Sequence, residues 1–394
     1  MKDYFADFHV HIGINEQGKW IKIPTSRNLT VRNITTEAVQ RKGMDIVGIV
    51  DAMSPSVLDD LGRLIEEGNL ELLAGGGYRF ENKVTILLGA EIETAETDGG
   101  LAHTLIFLPD METMRHFSGF MSKHIRNIHM SSQNAHMPLE ELIRSAAAYN
   151  AIIIPAHIFT PHKSLFGSCT GRISRILSDT SISAISAMEL GLSADTSMAD
   201  RIDELSAFSF ITNSDAHSLD KIAREYNIIQ LEEANFEECR LALARKRGRG
   251  LVANYGLNPK LGKYHRTCCA KCGGQLTPED GRHECLNCGS KRMVRGVLDR
   301  IDEIADRQVP IHPAYRPPYY YQIPLEFIPG IGGKTLSKLL LRFGTEMNVI
   351  HHASDDELFE FLGAKLAAQL IMARTGKADI INGGGGIYGR LSKM

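Results

Sequence analysis

Asp7-Phe8-His9-Val10-His11 sets a carboxylate and two imidazoles at alternate positions of a short apolar stretch. On a strand, residues two apart share a face, so Asp7, His9 and His11 would stand together as metal ligands. Imidazole and carboxylate suit zinc, manganese or iron, and neutral histidine binds them near pH 7 without a large proton cost. An H-x-H pair alone says little, because one histidine of such a pair is as readily a core residue and the other a surface one. The rest of the chain changes that. Glu91, His103, His157 and the pair Asp215 and His217 each lie beside or just past an apolar, strand-like run. Ligand-type residues recurring beside separate runs read as one shared site.

The elements that must position these side chains alternate over the first 235 residues. Strands are expected at 4–11, 45–51, 84–92, 103–108, 151–157, 184–190, 208–213 and 227–231. Helices are expected at 35–42, 55–67, 138–149, 198–207, 218–225 and 236–246. The alternation predicts an α/β domain with a parallel sheet, and the number of units favours a closed barrel over an open sheet. In a barrel the C-terminal strand ends open on one face, where most of these ligand-type residues fall.

At 394 residues, 43% hydrophobic and 23% charged, the chain has room for a large domain and one or two small ones. No signal-peptide pattern is visible, and apolar runs such as 151–155 are far too short to span a bilayer, so the expected location is the cytoplasm, with no membrane partner. The net charge of −3 conceals a split. Residues 1–235 carry 20 Lys and Arg against 31 Asp and Glu, a net −11, while 236–394 carry 24 against 16, a net +8. The basic part is where an acidic polymer would bind. Within it, residues 245–250 form a basic, glycine-containing break, either a nucleic-acid contact or a solvated helix end.

Five of the seven cysteines fall between 268 and 288. Cys269 and Cys272, then Cys285 and Cys288, make two C-x2-C knuckles separated by twelve residues, with Gly273 and Gly289 following. This spacing predicts one tetrahedral structural zinc, the glycines relieving the turns that point amides at sulfur. Cys268 is an alternative first ligand, disfavoured by its C-x3-C spacing. A closed four-thiolate site leaves no open position, so its role is folding and not chemistry. A charged helix follows at 294–306, then a Pro/Tyr-rich linker at 309–324, whose tyrosines suit packing on a neighbour better than stacking on bases.

Pro329-Gly330-Ile331-Gly332-Gly333-Lys334-Thr335 precedes Leu336, Leu339, Leu340 and Leu341, a helix-hairpin-helix pattern. Its glycine turn would expose backbone N–H groups of Gly330, Gly332 and Gly333 to a phosphate, with Lys334 and Lys338 adding charge. A P-loop reading fails, because the glycine required five residues before Gly333 is Ile328. Residues 355–374, broken at Gly363, suggest a second hairpin, and the glycine run at 383–386 a flexible tail.

The ordered set His9, His11, Glu91, His103, His157, Asp215 and His217 resembles the PHP (polymerase and histidinol phosphatase) superfamily, a distorted (β/α)7 barrel of metal-dependent phosphoesterases. The resemblance covers about residues 1–235. It implies one metal at His9, His11, Glu91 and Asp215, a second at Glu91, His103 and His157, and a third involving His217. The sequence departs from that pattern at Asp51, which Ala52, Met53 and Ser54 follow where a histidine is usual, so a third ion would be absent or would use other ligands. Barrel, four-cysteine ribbon and hairpins together resemble the endonuclease Q family of DNA repair nucleases. That implies incision of double-stranded DNA 5′ to deaminated bases (uracil, hypoxanthine, xanthine) and abasic sites. Two or three divalent ions (Zn, Mn or Mg) would activate water and hold the phosphate, with Glu91, Asp215 and His217 as catalytic residues and residues 159–167 near the damaged base. The expected domains are 1–250, 251–308 and 309–394. A small-molecule phosphoesterase is the alternative enzyme reading, for which the basic hairpin half is unnecessary, and a DNA-binding scaffold with a decayed barrel is the non-catalytic one.

Overall fold

The computed structural model describes residues 1–275 and 284–391. Parts of two expected regions, 276–283 of the cysteine module and 392–394 at the C-terminus, lie outside the described residues. The strands are β1 (Lys2–Val10), β2 (Ile46–Ile49), β3 (Leu70–Leu72), β4 (Tyr78–Phe80), β5 (Val84–Ala95), β6 (Leu101–Leu108), β7 (Ile152–Pro155), β8 (Met188–Glu189), β9 (Phe210–Ile211), β10 (Tyr226–Leu231), β11 (Gly250–Gly256), β12 (Cys268–Cys269), β13 (Met293–Val294), β14 (Tyr319–Tyr321), β15 (Ile380–Ile381) and β16 (Arg390–Leu391). The α-helices are α1 (Val31–Glu37), α2 (Pro55–Glu66), α3 (Met111–Met121), α4 (Leu139–Ala147), α5 (Asp179–Ala184), α6 (Thr196–Ala199), α7 (Phe236–Leu243), α8 (Val297–Ile304), α9 (Gly333–Phe343), α10 (Asp355–Leu362) and α11 (Ala364–Arg374). Two expected helices shrink. The one at 198–207 is the short α6 and a 3-10 turn, because Asp200 is drawn away to Arg316 and His312, and the one at 218–225 is a single 3-10 turn.

Hydrogen bonds run round the first half in a ring. β1, β2 and β5 are parallel neighbours, β5 pairs with β6 and β6 with β7, and β8 pairs with β9. Ser186 and Ile158 link β7 to β8, and a parallel bridge from Val10 to Ala216 returns the ring to β1. The expectation of a parallel sheet is corrected: β6 runs antiparallel to both neighbours, and β10 and β11 add an antiparallel extension beside β1. The link between β5 and β6 is only residues 96–100, too short for the crossover that a parallel partner needs.

β5 is buried along nearly its whole length, as a strand covered on both faces must be. Val47, Ile86, Leu88, Ile106 and Ile153 meet the helix residues Leu58, Leu61, Phe117 and Leu142 outside. Phe8, Leu87, Leu105, Phe107 and Ile154 fill the inside. That inner packing leaves no room at Gly48, where a Cβ would lie 2.6 Å from the Phe8 carbonyl oxygen.

β11 crosses the expected boundary at 250 and stays in the main sheet, pairing with β14, so the linker tyrosines are strand residues. Tyr320 packs on Tyr255 at 5.0 Å, and Tyr321 donates to Asp195 at 2.7 Å. α9, α10 and α11 enclose their own core around Leu336, Leu339, Leu358 and Leu370. This unit is fastened to the ring by the Lys42 to Glu346 ion pair at 3.1 Å and by Tyr226 to His351 at 2.6 Å, while Met347 joins the ring's outer core. Among the described residues no helix is long and apolar enough to cross a membrane.

Glu225, just before β10, is fully buried where ring and extension meet. Thr212 Oγ1 hydrogen-bonds one of its carboxyl oxygens and the Leu257 N–H donates to the other at 2.8 Å. Burial pushes its pKa up to about 8, so the folded protein keeps a proton that the unfolded chain releases at about 4.5. Its contribution to stability is therefore complete below pH 4.5 and is lost as the pH rises to 8. Glu225→Gln is expected to gain on the order of 3 kcal/mol relative to wild type between pH 5 and pH 8 in denaturant titrations.

Candidate metal centre

The ligand-type side chains converge at one end of the ring. Glu91 is inside β5, and His103 opens the antiparallel β6, cross-strand from Glu93, which is why a residue at the start of a strand reaches the same end. His157 follows β7, and Asp215 lies in the loop after β9. His157 and Asp215 hold left-handed backbone, at φ 33° and 44°, as does Ser132 at 52°. Such conformations cost of order 1–3 kcal/mol each and persist where the surroundings over-determine them. Gly191 is one of those surroundings, since a Cβ there would approach the His157 Cβ to 2.8 Å.

Among the described residues, two groups of N and O donors lie within 4.8 Å of one another: His9, His11 and Asp215, and Glu91, His103 and His157. Glu91 joins them. Its Oε1 lies 2.8 Å from His103 Nδ1 and 3.4 Å from His157 Nε2, while Oε2 lies 3.6 Å from His11 Nε2. His9 Nε2 and His11 Nε2 are 3.2 Å apart, with Asp215 Oδ1 at 3.6 and 3.5 Å from them.

Two buried carboxylates orient these histidines. His9 Nδ1–H donates to Glu189 at 3.1 Å and His11 Nδ1–H to Asp51 at 3.1 Å, so both Nε2 atoms face the shared space. Glu189 is one residue that sequence reasoning missed, and its signal was present: a glutamate closing an apolar run. Asp51 is accounted for as well, as the support of His11 and the acceptor of the Ile12 N–H at 2.6 Å.

Asp7 corrects the expectation that it joins His9 and His11. The β1–β2 register slips between Asp7 and Val10, and this bulge reverses the facing. Ala6 and Phe8 before it, and His9 and His11 after it, point inward. Asp7 instead accepts the N–H groups of Ser214 and Ala223, at 3.1 and 3.0 Å, fixing the loop that carries Asp215. His217 belongs to neither donor group. Its Nδ1–H donates to the Asp215 carbonyl at 3.0 Å, leaving Nε2 open. Within residues 159–167, Phe159, Ser164, Leu165 and Phe166 are buried, the two phenylalanine rings stacked at 5.4 Å, while His162 and Lys163 are exposed. Only Thr160 of that segment reaches the cavity of about 170 Å³ beside His157, which Gly191, Ser193, Asp215, Lys263, Tyr264 and Tyr388 also line.

The electrostatics call for cations. Burial is the largest influence on Glu91 and acts to raise its pKa, yet His103, Lys22 and His157 outweigh it and hold the carboxyl well below its usual range. Asp215 is likewise held well down, burial being overcome by His9 and His11. Burial opposes charge on His9, but Glu189 and Asp215 raise its pKa well above the ordinary imidazole value. Burial brings His217 down to about 4. Protons on His9 and His103 balance the carboxylates, and divalent ions would do the same on displacing them.

The cysteines form a second centre. Cys269, Cys272, Cys285 and Cys288 gather their sulfurs, with Cys272 and Cys285 at 3.4 Å and Cys269 and Cys288 at 3.6 Å. Gly273 and Gly289 take φ of 71° and 66°, and the Lys271 N–H points at the Cys269 sulfur. Cys268 stays outside this group.

No family model matches the chain. The uncharacterized protein YqxK of Bacillus subtilis is 43% identical over 395 residues, covering 99% of this chain and 100% of its own length. The uncharacterized protein MJ0043 of Methanocaldococcus jannaschii is 41% identical over 225 residues, which are 52% of this chain and 28% of MJ0043. The lesion-specific endonuclease PfuEndoQ of Pyrococcus furiosus superposes with a TM-score of 0.84 at 28% identity, covering 99% of this chain and 95% of that one. The chain belongs to the endonuclease Q family. A complex of endonuclease Q with a 27-mer duplex carrying an abasic lesion at its active site matches with the same TM-score and identity. As a member of the endonuclease Q family the chain is a nuclease, and its imidazole and carboxylate donors fit divalent ions.

Glu189→Ala leaves His9 Nδ1 without its acceptor. Divalent-ion affinity at the ring is expected to fall about 10–100-fold, measured by titration against a competing chelator, with the ion at the four cysteines unaffected.

Proposed function

We propose that the chain is a metal-dependent DNA repair endonuclease that hydrolyses the phosphodiester 5′ to uracil, hypoxanthine, xanthine and abasic sites in duplex DNA. The observation that carries this reading is Glu91, whose two oxygens serve two donor groups at the mouth of the ring, in a chain matched almost end to end by a lesion-specific endonuclease. On this reading the ring is the distorted (β/α)7 PHP barrel, the four-cysteine module a zinc ribbon, and α9 to α11 a pair of helix-hairpin-helix units.

Divalent ions held by His9, His11, Glu91 and Asp215 and by Glu91, His103 and His157 would supply Lewis acidity and make the attacking water more acidic. Asp215 and Glu91 hold the reacting groups in line. His217 leaves its Nε2 open beside Asp215 and would help position the attacking water. The cavity beside His157 offers Tyr264 and Tyr388, whose rings suit a nucleotide turned out of the stack. Deaminated bases pair less well, so turning them out costs less.

The C-terminal helices support binding of duplex backbone. α9 and α11 each start after a glycine, Gly332 and Gly363, with no side-chain cap, so their first N–H groups are available to phosphate. The turns at Gly330 and Gly363 share one cleft. Lys334 and Lys338 are exposed beside them.

The test uses labelled duplexes carrying uracil, hypoxanthine, xanthine, an abasic site or no lesion, with Mg²⁺ or Mn²⁺. One cut 5′ to each lesion is expected and none in the intact duplex. Glu91→Ala and Asp215→Ala should bind DNA without cutting, and incision by both variants overturns the reading. Lys334→Ala and Lys338→Ala should each lower the slope of log K against log salt by about 1, with the cut position unchanged.

A further inference from the structure

Lys22 lies in the loop between β1 and α1, and its ammonium reaches into the metal centre with all three N–H bonds used. They go to His11 Nε2 at 2.8 Å, Glu91 Oε2 at 2.9 Å and Ser132 Oγ at 2.8 Å. Only 13% of the side chain is exposed. The loop is fastened on several sides. Ile21 N–H donates to Gly13, Ser131 N–H to Ile21 and Ser26 N–H to the carbonyl of His217, so the backbone on both sides of Lys22 is fixed to the site it serves.

A third divalent ion does not fit this chain. Asp51 is committed to His11 Nδ1 and the Ile12 N–H, and Ala52, Met53 and Ser54 after it offer no imidazole. His217 is turned onto the Asp215 carbonyl and joins no donor group. The ammonium of Lys22 stands at Oε2 of Glu91, while His103 and His157 stand at Oε1.

We propose that Lys22 is a catalytic residue that replaces a third cation, holding Glu91 on one side and a scissile-phosphate oxygen on the other. This rests on the nuclease reading above. Nε2 of His11 has one lone pair, and with that pair committed to an ion, one Lys22 N–H loses its acceptor. The bonds to Glu91 and Ser132 remain and keep the ammonium in place. The freed N–H would then be available to an anionic oxygen of the substrate. A lysine also gives this position a charge that cannot dissociate, so cleavage depends on two ions where three would otherwise be required.

The test is an ion count with a cleavage assay on the full chain. Protein loaded with Zn²⁺ and desalted should retain three ions by elemental analysis, two in the ring and one at the cysteines; four overturn the proposal. Lys22→Ala and Lys22→Gln should cut an abasic duplex about 10²–10³-fold more slowly, as for loss of one donor to developing charge, and Lys22→Arg should recover part of that rate. Zn²⁺ affinity at the ring should be unchanged or higher in both variants, because a competing cation has gone. Rates within threefold of wild type, or loss of the ring ions, overturn the proposal, the second outcome marking Lys22 as a support for the ligands. If neither variant folds, the wild-type ion count decides. A wild-type protein that cuts no lesion duplex refutes the nuclease reading, and the ion count still decides whether a third ion binds.

Discussion

The structure depends on a buried carboxylate shared by two sets of imidazoles. Glu91 is almost without solvent, and unscreened charge at such a depth is tolerated only when each neighbour is itself held. The fold provides that in layers. Phe8 and Phe107 pack the ring beneath the site, Glu189 and Asp51 orient His9 and His11, Glu93 stands behind His103, and Lys22 and Ser132 close the far side. The left-handed backbone at His157, Asp215 and Ser132 belongs to the same economy, local strain carried where geometry has to be exact.

Much of this was legible in the chain. Strands separated by helices put their ends on common ground, so a histidine or acid closing an apolar run marks the site, and His9, His11, Glu91, His103, His157 and Asp215 do meet. What was hidden had physical causes. A one-residue bulge after Asp7 reverses the facing of β1, and no periodicity in five residues reveals it. Glu189 sits inside the expected strand 184–190, but it acts by backing His9 from behind, and no spacing marks a residue that supports a ligand. Lys22 reaches the site along a flexible side chain from an irregular loop, where spacing carries no information. The antiparallel β6 was within reach, because the short connection from β5 forbids a crossover.

The basic C-terminal part was legible as helices that start at glycine turns beside exposed lysines, but its attachment was not. Tyr319 and Tyr321 read as linker residues and are strand residues, recruited because β11 leaves an edge to be covered. Phe5, Tyr226, Tyr255 and His351 then form an aromatic seam between ring and helices, reinforced by Lys42 and Glu346. Such a seam joins residues hundreds of positions apart, and only the folded chain brings them into register.

That seam has a mechanical meaning. These contacts tie α9 to α11 to the ring, so on the proposed reading a double helix held at the glycine turns would itself have to yield to deliver one phosphate to Glu91. The work of distortion then falls on the nucleic acid, and a stretch weakened by a faulty pair complies at lower cost than sound sequence. On that reading, a scaffold held by its seam would report how easily the nucleic acid deforms.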